Sequence, residues 1–310
     1  MSPAGHEGQR ERGTSQVVAW VEANLGGTVV KATRQPRWRP VWFLDLEDGG
    51  ETRSLCVRGE RVDADIGFSL DHEMRFQKLL GERGIPVAKV HGWIDQPAAY
   101  VMDVVTGRND FAETPDDERR AVMDDYIDVL AQIHALDPEP FGKAGILRAE
   151  RPEDAGVVGM RRYEEFYRRS KKRPDPFLEF CLAWLKRNPL PAPRRETPIV
   201  WDSGQFHHAG GKIQAVLDLE IGHVGDPMMD LAGFRMRDSI IGYGEFPRMY
   251  ERYAKVSGVP IDIEAIQHHH LSFTLTNQLA FHSALAEPVP GTDYMTNLQW
   301  CSETNLYAVE

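Results

Sequence analysis

The chain has 310 residues, 42% hydrophobic and 27% charged, with 47 acidic against 36 basic side chains and a formal charge of −11. This is the composition of a soluble globular protein long enough for two lobes with cores of their own. It excludes a general nucleic-acid binder, whose footprint would be basic, and no stretch approaches the ~18 consecutive apolar residues of a membrane-spanning helix.

In chain order, residues 1–15 are polar and lack the apolar centre of a secretory leader, so they read as a disordered tail. Residues 16–25 (QVVAWVEANL) predict a short helix closed by Gly26-Gly27. Strands follow over 28–33, 41–46 and 53–58, the last two joined by a turn at Asp48-Gly49-Gly50. The connector between the first two, residues 34–40 (RQPRWRP), is basic and aromatic and has no glycine. Residues 68–80 carry helical spacing, and 86–93 and 98–104 predict two more strands. A boundary near 104–110 then divides an amino-terminal lobe, 16–106, from a helical lobe, 107–310.

In the second lobe, Val122, Tyr126, Val129, Ile133 and Leu136 mark a helix over 116–136. Amphipathic helices over 160–169 and 177–187 flank a basic joint whose charges read as a solvated surface. Further helices are expected over 230–241, 246–257 and, as one long element, 263–286, with a last one from residue 294. The three cysteines, Cys56, Cys181 and Cys301, match no metal-ligand spacing and fit a reducing cytoplasm.

The most informative stretch is 198–234 (PIVWDSGQFHHAGGKIQAVLDLEIGHVGDPMMDLAGF). An apolar run at 199–201 delivers Asp202 to a loop. A second run, 213–217, delivers Asp218, with Glu220 two residues on and a Gly210-Gly211 turn between the runs. Read as one hairpin, the two runs bring acids 16 residues apart to the same end. Paired carboxylates at loop mouths hold a metal or handle a proton; a polar turn with a solvated strand end is the bland alternative. Arg58 at a strand end and Glu73 on the next helix make a cation–acid pair suited to fixing a nucleotide phosphate.

These motifs together resemble the aminoglycoside phosphotransferase-like family, over roughly residues 28–285. The segment 222–232 (GHVGDPMMDLA) after VLDLE is the most specific. The resemblance implies an α+β, bilobal protein-kinase-like fold: a small five-stranded antiparallel lobe and a larger, mostly helical one. It implies transfer of the γ-phosphoryl group of ATP or GTP to a hydroxyl of a small molecule, with Mg2+. It also implies Asp202 as catalytic residue and Asp218 as metal ligand. Glu73 matches the helix acid, and Met102 and Asp103 match the linker beside the nucleotide base. The acceptor that the resemblance implies is a small hydroxylated molecule, with an aminoglycoside-like compound and a hydroxyacyl-CoA among the candidates.

Four positions depart from the family pattern. Val200-Trp201 replaces His-Gly before the catalytic Asp. Gln205 stands in for the metal-binding Asn, with His207 as second choice. Arg58 replaces a lysine with a planar fork. The phosphate loop lacks glycine, so Trp38 or the neighbouring arginines are candidates to cover the nucleotide. Two further readings stand beside the kinase, the first motivated by these departures and the second by the histidines near the acids. One is a catalytically silent nucleotide- or metabolite-binding protein. The other is a metallohydrolase built on His207, His208, His223 and the two acids. His268-His269-His270 point in different directions on a helix and cannot share one ion. His134 reads as structural, and Asp226 and Asp230 as a turn and a helix cap.

Overall fold

A period of two decides the first layer. On the strand Glu51–Gly59 (β3), Leu55 and Val57 are fully buried on one face, so Cys56 and Arg58 face the other way. Leu55 and Val57 join Val17 and Val21 of the helix Pro3–Leu25 (α1), with Trp42, Leu44 and Leu46 of Val41–Asp48 (β2), in a core of their own. With Thr28–Gln35 (β1), Val90–Ile94 (β4) and Ala99–Asp103 (β5), these strands make an antiparallel sheet of order β1-β2-β3-β5-β4. The pairing of β3 with β5 sets Cys56 opposite Met102 and Arg58 opposite Tyr100. All four side chains therefore share the face away from α1, where the helix Leu70–Gly81 (α2) lies. Ser69 caps α2 by accepting from His72 N at 3.2 Å.

This computed structural model describes residues 3–35, 39–61, 67–287 and 294–309. Trp38, one candidate cover for the nucleotide, lies outside them. The expected tail is corrected in part: residues 3–15 belong to α1, whose predicted start was residue 16.

The second lobe is built from Asp116–Ala135 (α3), Glu139–Lys143 (α4), Val158–Ser170 (α5), Pro176–Arg187 (α6), Pro227–Ile241 (α7), Phe246–Ser257 (α8), Ile263–Thr274 (α9), Thr276–Ala286 (α10) and Tyr294–Val309 (α11). Val122, Tyr126 and Ile133 of α3 pack on Val200, Phe206, Val216 and Phe234. The long helix expected over 263–286 is two. Thr274 Oγ1 donates to Leu271 O at 2.8 Å and Thr276 Oγ1 to Phe273 O at 2.7 Å. Such hydroxyl–carbonyl bonds compete with the helix ladder, and the chain breaks at Leu275.

The carboxylate hairpin is also rearranged. The hairpin at Gly210-Gly211 is Phe206–Ala209 (β7) with Lys212–Val216 (β8). The apolar run at 199–201 does not belong to it: Thr197–Ile199 (β6) pairs instead with His223–Gly225 (β9). Asp202 thus sits on the β6–β7 loop and Asp218 on the β8–β9 loop. They meet because both connections leave the same end of two small sheets. No helix among the described residues is long and apolar enough to cross a membrane.

Candidate active site

The loop that carries Asp202 is held from below by one buried acid. Asp230, in the first turn of α7 and with no exposure, accepts from Val200 N (3.0 Å) and Trp201 N (2.5 Å), and Ser203 Oγ donates to its backbone oxygen. His134 Nε2 lies 3.0 Å from its Oδ2, and His134 Nδ1 is 2.6 Å from Tyr253 Oη. The helix cap expected at Asp230 belongs to Asp226, which accepts from Met228 N at 2.9 Å. At Gly233 an added Cβ would stand 2.2 Å from Trp201 O, so only glycine lets α7 come this close to the loop.

Trp201 has φ +63° and Asp218 has φ +54°. For non-glycine residues this costs on the order of 1–3 kcal/mol each, and it persists where the surroundings over-determine it. Trp201 stands where the resemblance has glycine, the residue that adopts such a φ without strain. Its ring is held edge-on by His223 (centroids 5.1 Å apart) and Tyr163 (5.7 Å).

His223 has no exposure. Burial pulls its pKa down to about 4 against the carbonyl of Ile221, which raises it. The unfolded chain, with an ordinary value near 6.5, takes up a proton that the folded chain refuses. Stability is therefore full at neutral pH, falls as pH drops below about 6.5 and levels off near 4. Between pH 7.5 and 5 His223 alone is expected to remove about 2 kcal/mol. Unfolding free energies from urea titrations at the two pH values should differ less in His223→Gln than in the wild type, by about that amount.

Asp202 and Asp218 meet through one amide. Gln205 Nε2 donates to Asp202 Oδ2 at 2.9 Å and to Asp218 Oδ2 at 3.1 Å. Arg237, two helical turns beyond Asp230 on α7, donates from Nε to Asp202 Oδ1 at 3.0 Å. Burial pushes the Asp202 carboxyl up, Arg237 opposes it, and the neighbouring Asp218 charge adds to the rise. Burial acts on Asp218 in the same sense, but Arg58, Arg39 and Arg237 outweigh it and hold that carboxyl low. Arg58 Nη2 donates to Asp218 Oδ1 at 3.1 Å, and Arg58 Nε lies 2.8 Å from Glu73 Oε1. Tyr100 Oη donates to the same Glu73 oxygen at 3.2 Å.

The residues to which the resemblance gave catalytic, metal and nucleotide roles, Arg58, Glu73, Met102, Asp103, Asp202, Gln205 and Asp218, line one cavity of about 570 Å3 between the sheet and the helices. Asp103 Oδ1 also lies 2.6 Å from His91 Nε2. Glu220 lines the cavity too, in contact with Arg39 and Arg61. Burial and the Asp218 charge push its carboxyl up to about 7 against the pull of Arg39, Arg61 and Arg58. Arg61 and Arg237 were not foreseen. Arg237 had one available signal: its seven-residue spacing from Asp230 puts both on the same face of α7.

The histidine cluster is not a metal centre among the described residues. His207 Nδ1 lies 3.2 Å from Val105 O and His208 Nε2 2.9 Å from Asp110 O, so both are occupied by backbone carbonyls. For a hard divalent cation the donor chemistry of Asp218 and Gln205 fits. Two carboxylate oxygens already converge on the single electropositive nitrogen of Gln205, and turning that amide over offers its oxygen instead.

A small antiparallel sheet lobe, a larger helical lobe and an acid-lined cavity between them define an α+β, protein-kinase-like phosphotransferase fold. The chain belongs to the phosphotransferase enzyme family, whose sequence model matches residues 68–269.

Among solved structures, a Ralstonia eutropha protein assigned as an aminoglycoside phosphotransferase matches with TM-score 0.68 at 18% identity, over 95% of each chain. The macrolide 2'-phosphotransferase MphH of Brachybacterium faecium matches with TM-score 0.62 at 18% identity, over 95% of this chain and 98% of that one. At these identities the likeness is one of fold.

Among curated proteins, rat acyl-CoA dehydrogenase family member 11 is 29% identical over 217 residues, 64% of this chain and 27% of that protein. Mouse acyl-CoA dehydrogenase family member 10 is 26% identical over 215 residues, 62% of this chain and 19% of that protein. The chain thus spans about a quarter or less of the length of these relatives.

Proposed function

We propose that this protein transfers the γ-phosphoryl group of ATP or GTP to a hydroxyl of a small molecule. The observation that carries the reading is the joining of Asp202 and Asp218 by Gln205, 2.9 and 3.1 Å from one nitrogen, in the cavity that Arg58 and Glu73 also line. Phosphoryl transfer asks the protein mainly for positioning and charge neutralisation. The nucleotide base lies beside Met102 and Asp103, and Arg58, fixed by Glu73, meets the phosphates. Asp202 orients the acceptor hydroxyl and takes its proton late in the transfer, while Arg237 keeps that carboxylate in place. Asp218 and Gln205 would hold Mg2+, which when bound supplies positive charge to the transferring phosphates.

The far wall of the cavity argues for the acceptor class. Met236, Ile240, Phe273, Ala280, Phe281 and Trp300 line it, and Glu303 is the one acid among the described lining residues there. A polycationic aminoglycoside wants several carboxylates on that wall. A hydroxylated molecule with an apolar body, such as a hydroxyacyl thioester of CoA, suits it better. The relatives named for the acyl-CoA dehydrogenase family point the same way. A cytoplasmic setting suits the three buried cysteines, Cys56, Cys181 and Cys301, none of which is in a disulfide.

ATP with Mg2+ at about 100 times its Kd should raise the melting temperature by about 5 °C, since binding to the folded state alone adds about 2.7 kcal/mol. Labelled γ-phosphate should then pass to hydroxyacyl-CoA in preference to aminoglycosides. A flat melting curve at millimolar nucleotide would overturn the kinase reading. A shift without transfer to any acceptor in the panel would favour the silent binding protein instead.

A further inference from the structure

The connector between β1 and β2 carries no glycine from residue 34 to residue 40. A close-packed nest of backbone amides over a triphosphate is therefore not available from it in the usual glycine-rich form. What the connector does deliver is Arg39. Gly59 N donates to Pro40 O at 2.8 Å, tying the connector's end to the end of β3. With that anchor, the Arg39 side chain runs inward and is only 4% exposed. Its Nη1 donates to Glu73 Oε2 at 2.7 Å and its Nη2 donates to Glu220.

Glu73 thereby carries two guanidinium groups, Arg39 on Oε2 and Arg58 at 2.8 Å from Oε1, with Tyr100 Oη on Oε1 as well. Holding one helix acid in place needs only one of the two cations. A second buried guanidinium on the cavity wall is costly to desolvate. Its planar fork matches a phosphate, which accepts two parallel N–H bonds. Arg61 adds a third cation on the same wall, 3.3 Å from Glu220 Oε1. Arg39, Arg58 and Arg61 thus face the three acids Glu73, Asp218 and Glu220 across the nucleotide end of the cavity.

From this arrangement we infer that Arg39 is a phosphate-binding residue of the nucleotide site, doing with a side-chain fork what a glycine loop does with backbone amides. Nη1 stays on Glu73, and Nη2 leaves Glu220 for the terminal phosphates of the nucleotide. Glu220 holds the place of those phosphates until they arrive. The inference rests on the reading that this cavity binds a nucleoside triphosphate.

Calorimetric titration of the full chain with adenosine, AMP, ADP and a non-hydrolysable ATP analogue, all with Mg2+, separates the two claims. If the wild type binds none of them, the nucleotide reading fails, and with it the site in which Arg39 would act. If the wild type binds, Arg39→Gln is expected to weaken the ATP analogue about 10- to 100-fold, the loss of one charge-assisted contact. Adenosine and AMP should hold within about twofold by the same reasoning, because Arg39 does not touch them. Arg39→Lys, which keeps the charge without the fork, should fall between. Equal weakening across the series would mean that Arg39 merely props Glu73, and no weakening would mean that it does not touch the nucleotide; either overturns the inference. Should Arg39→Gln fail to fold by circular dichroism, the Arg39→Lys series decides alone. ATP-over-AMP discrimination reduced by about threefold or more supports the inference, and unchanged discrimination overturns it.

Discussion

Asp202→Asn is expected to slow phosphoryl transfer about 100- to 10,000-fold while nucleotide affinity changes by less than about threefold, the split that marks a proton acceptor rather than a binding group. Asparagine keeps the shape of the side chain, and its one oxygen can still accept from Arg237, which donates to Asp202 Oδ1 at 3.0 Å; its amide nitrogen meets Gln205 once that amide turns over to present its oxygen in place of the nitrogen now 2.9 Å from Asp202 Oδ2. It cannot take a proton from the acceptor hydroxyl. The nucleotide contacts proposed above, Arg58 with Glu73 and the Met102–Asp103 segment, lie on the other lobe and are untouched by the substitution. Single-turnover transfer from labelled ATP, run beside a calorimetric Kd, reads both halves. A variant with wild-type turnover would remove Asp202 from the chemistry. A variant with normal turnover per bound nucleotide but weak binding would make it a ligand-holding residue instead.

How far the site could be read from the amino acids depends on how local its determinants are. Arg58 and Glu73 were legible because each follows a short-range rule. Strand alternation turns Arg58 away from Leu55 and Val57, and helical spacing turns Glu73 inward with Phe76. The meeting of Asp202 and Asp218 was foreseen for a partly mistaken reason. Three apolar residues at 199–201 look the same whether they pair with the next run or with β9, more than 20 residues on. β6 packs against both α3 and α7, and these long-range contacts are not visible in the run itself. The break at Leu275 was hidden because the apolar stripe of Leu271, Leu275 and Leu279 keeps its period across it. Arg61 reaches the cavity from a segment between two expected elements, 53–58 and 68–80, and Arg237 from the helix expected over 230–241. The spacing of Arg237 from Asp230 gives its face of the helix, but nothing short-range says that either cation must answer a buried acid from the opposite lobe or the neighbouring loop.

Asp230→Ala is expected to cost about 3–5 kcal/mol of folding stability, the range for removing one partner from a buried charge network. The side chain has no exposure, and its two oxygens accept from Val200 N and Trp201 N and meet His134. Alanine leaves two amide donors without acceptors in a dry interior and strips His134 of its carboxylate, each a desolvation cost of its own. It also releases Trp201 from the one contact that holds its N–H while φ is +63°. The loop should relax toward ordinary backbone angles and carry Asp202 away from Gln205 and Asp218. Stability and turnover should therefore fall together, and turnover should stay low in Asp230→Ala even at temperatures where circular dichroism reports a folded chain. Asp230→Asn keeps one accepting oxygen and should lose less of both. Urea unfolding at 25 °C gives the first quantity and labelled-phosphate transfer the second. A loss under about 1 kcal/mol, below the cost of even one stranded buried donor, would mean that the loop is anchored elsewhere. Low stability with full turnover in the folded fraction would mean that the strain at Trp201 is not what aims Asp202 into the cavity.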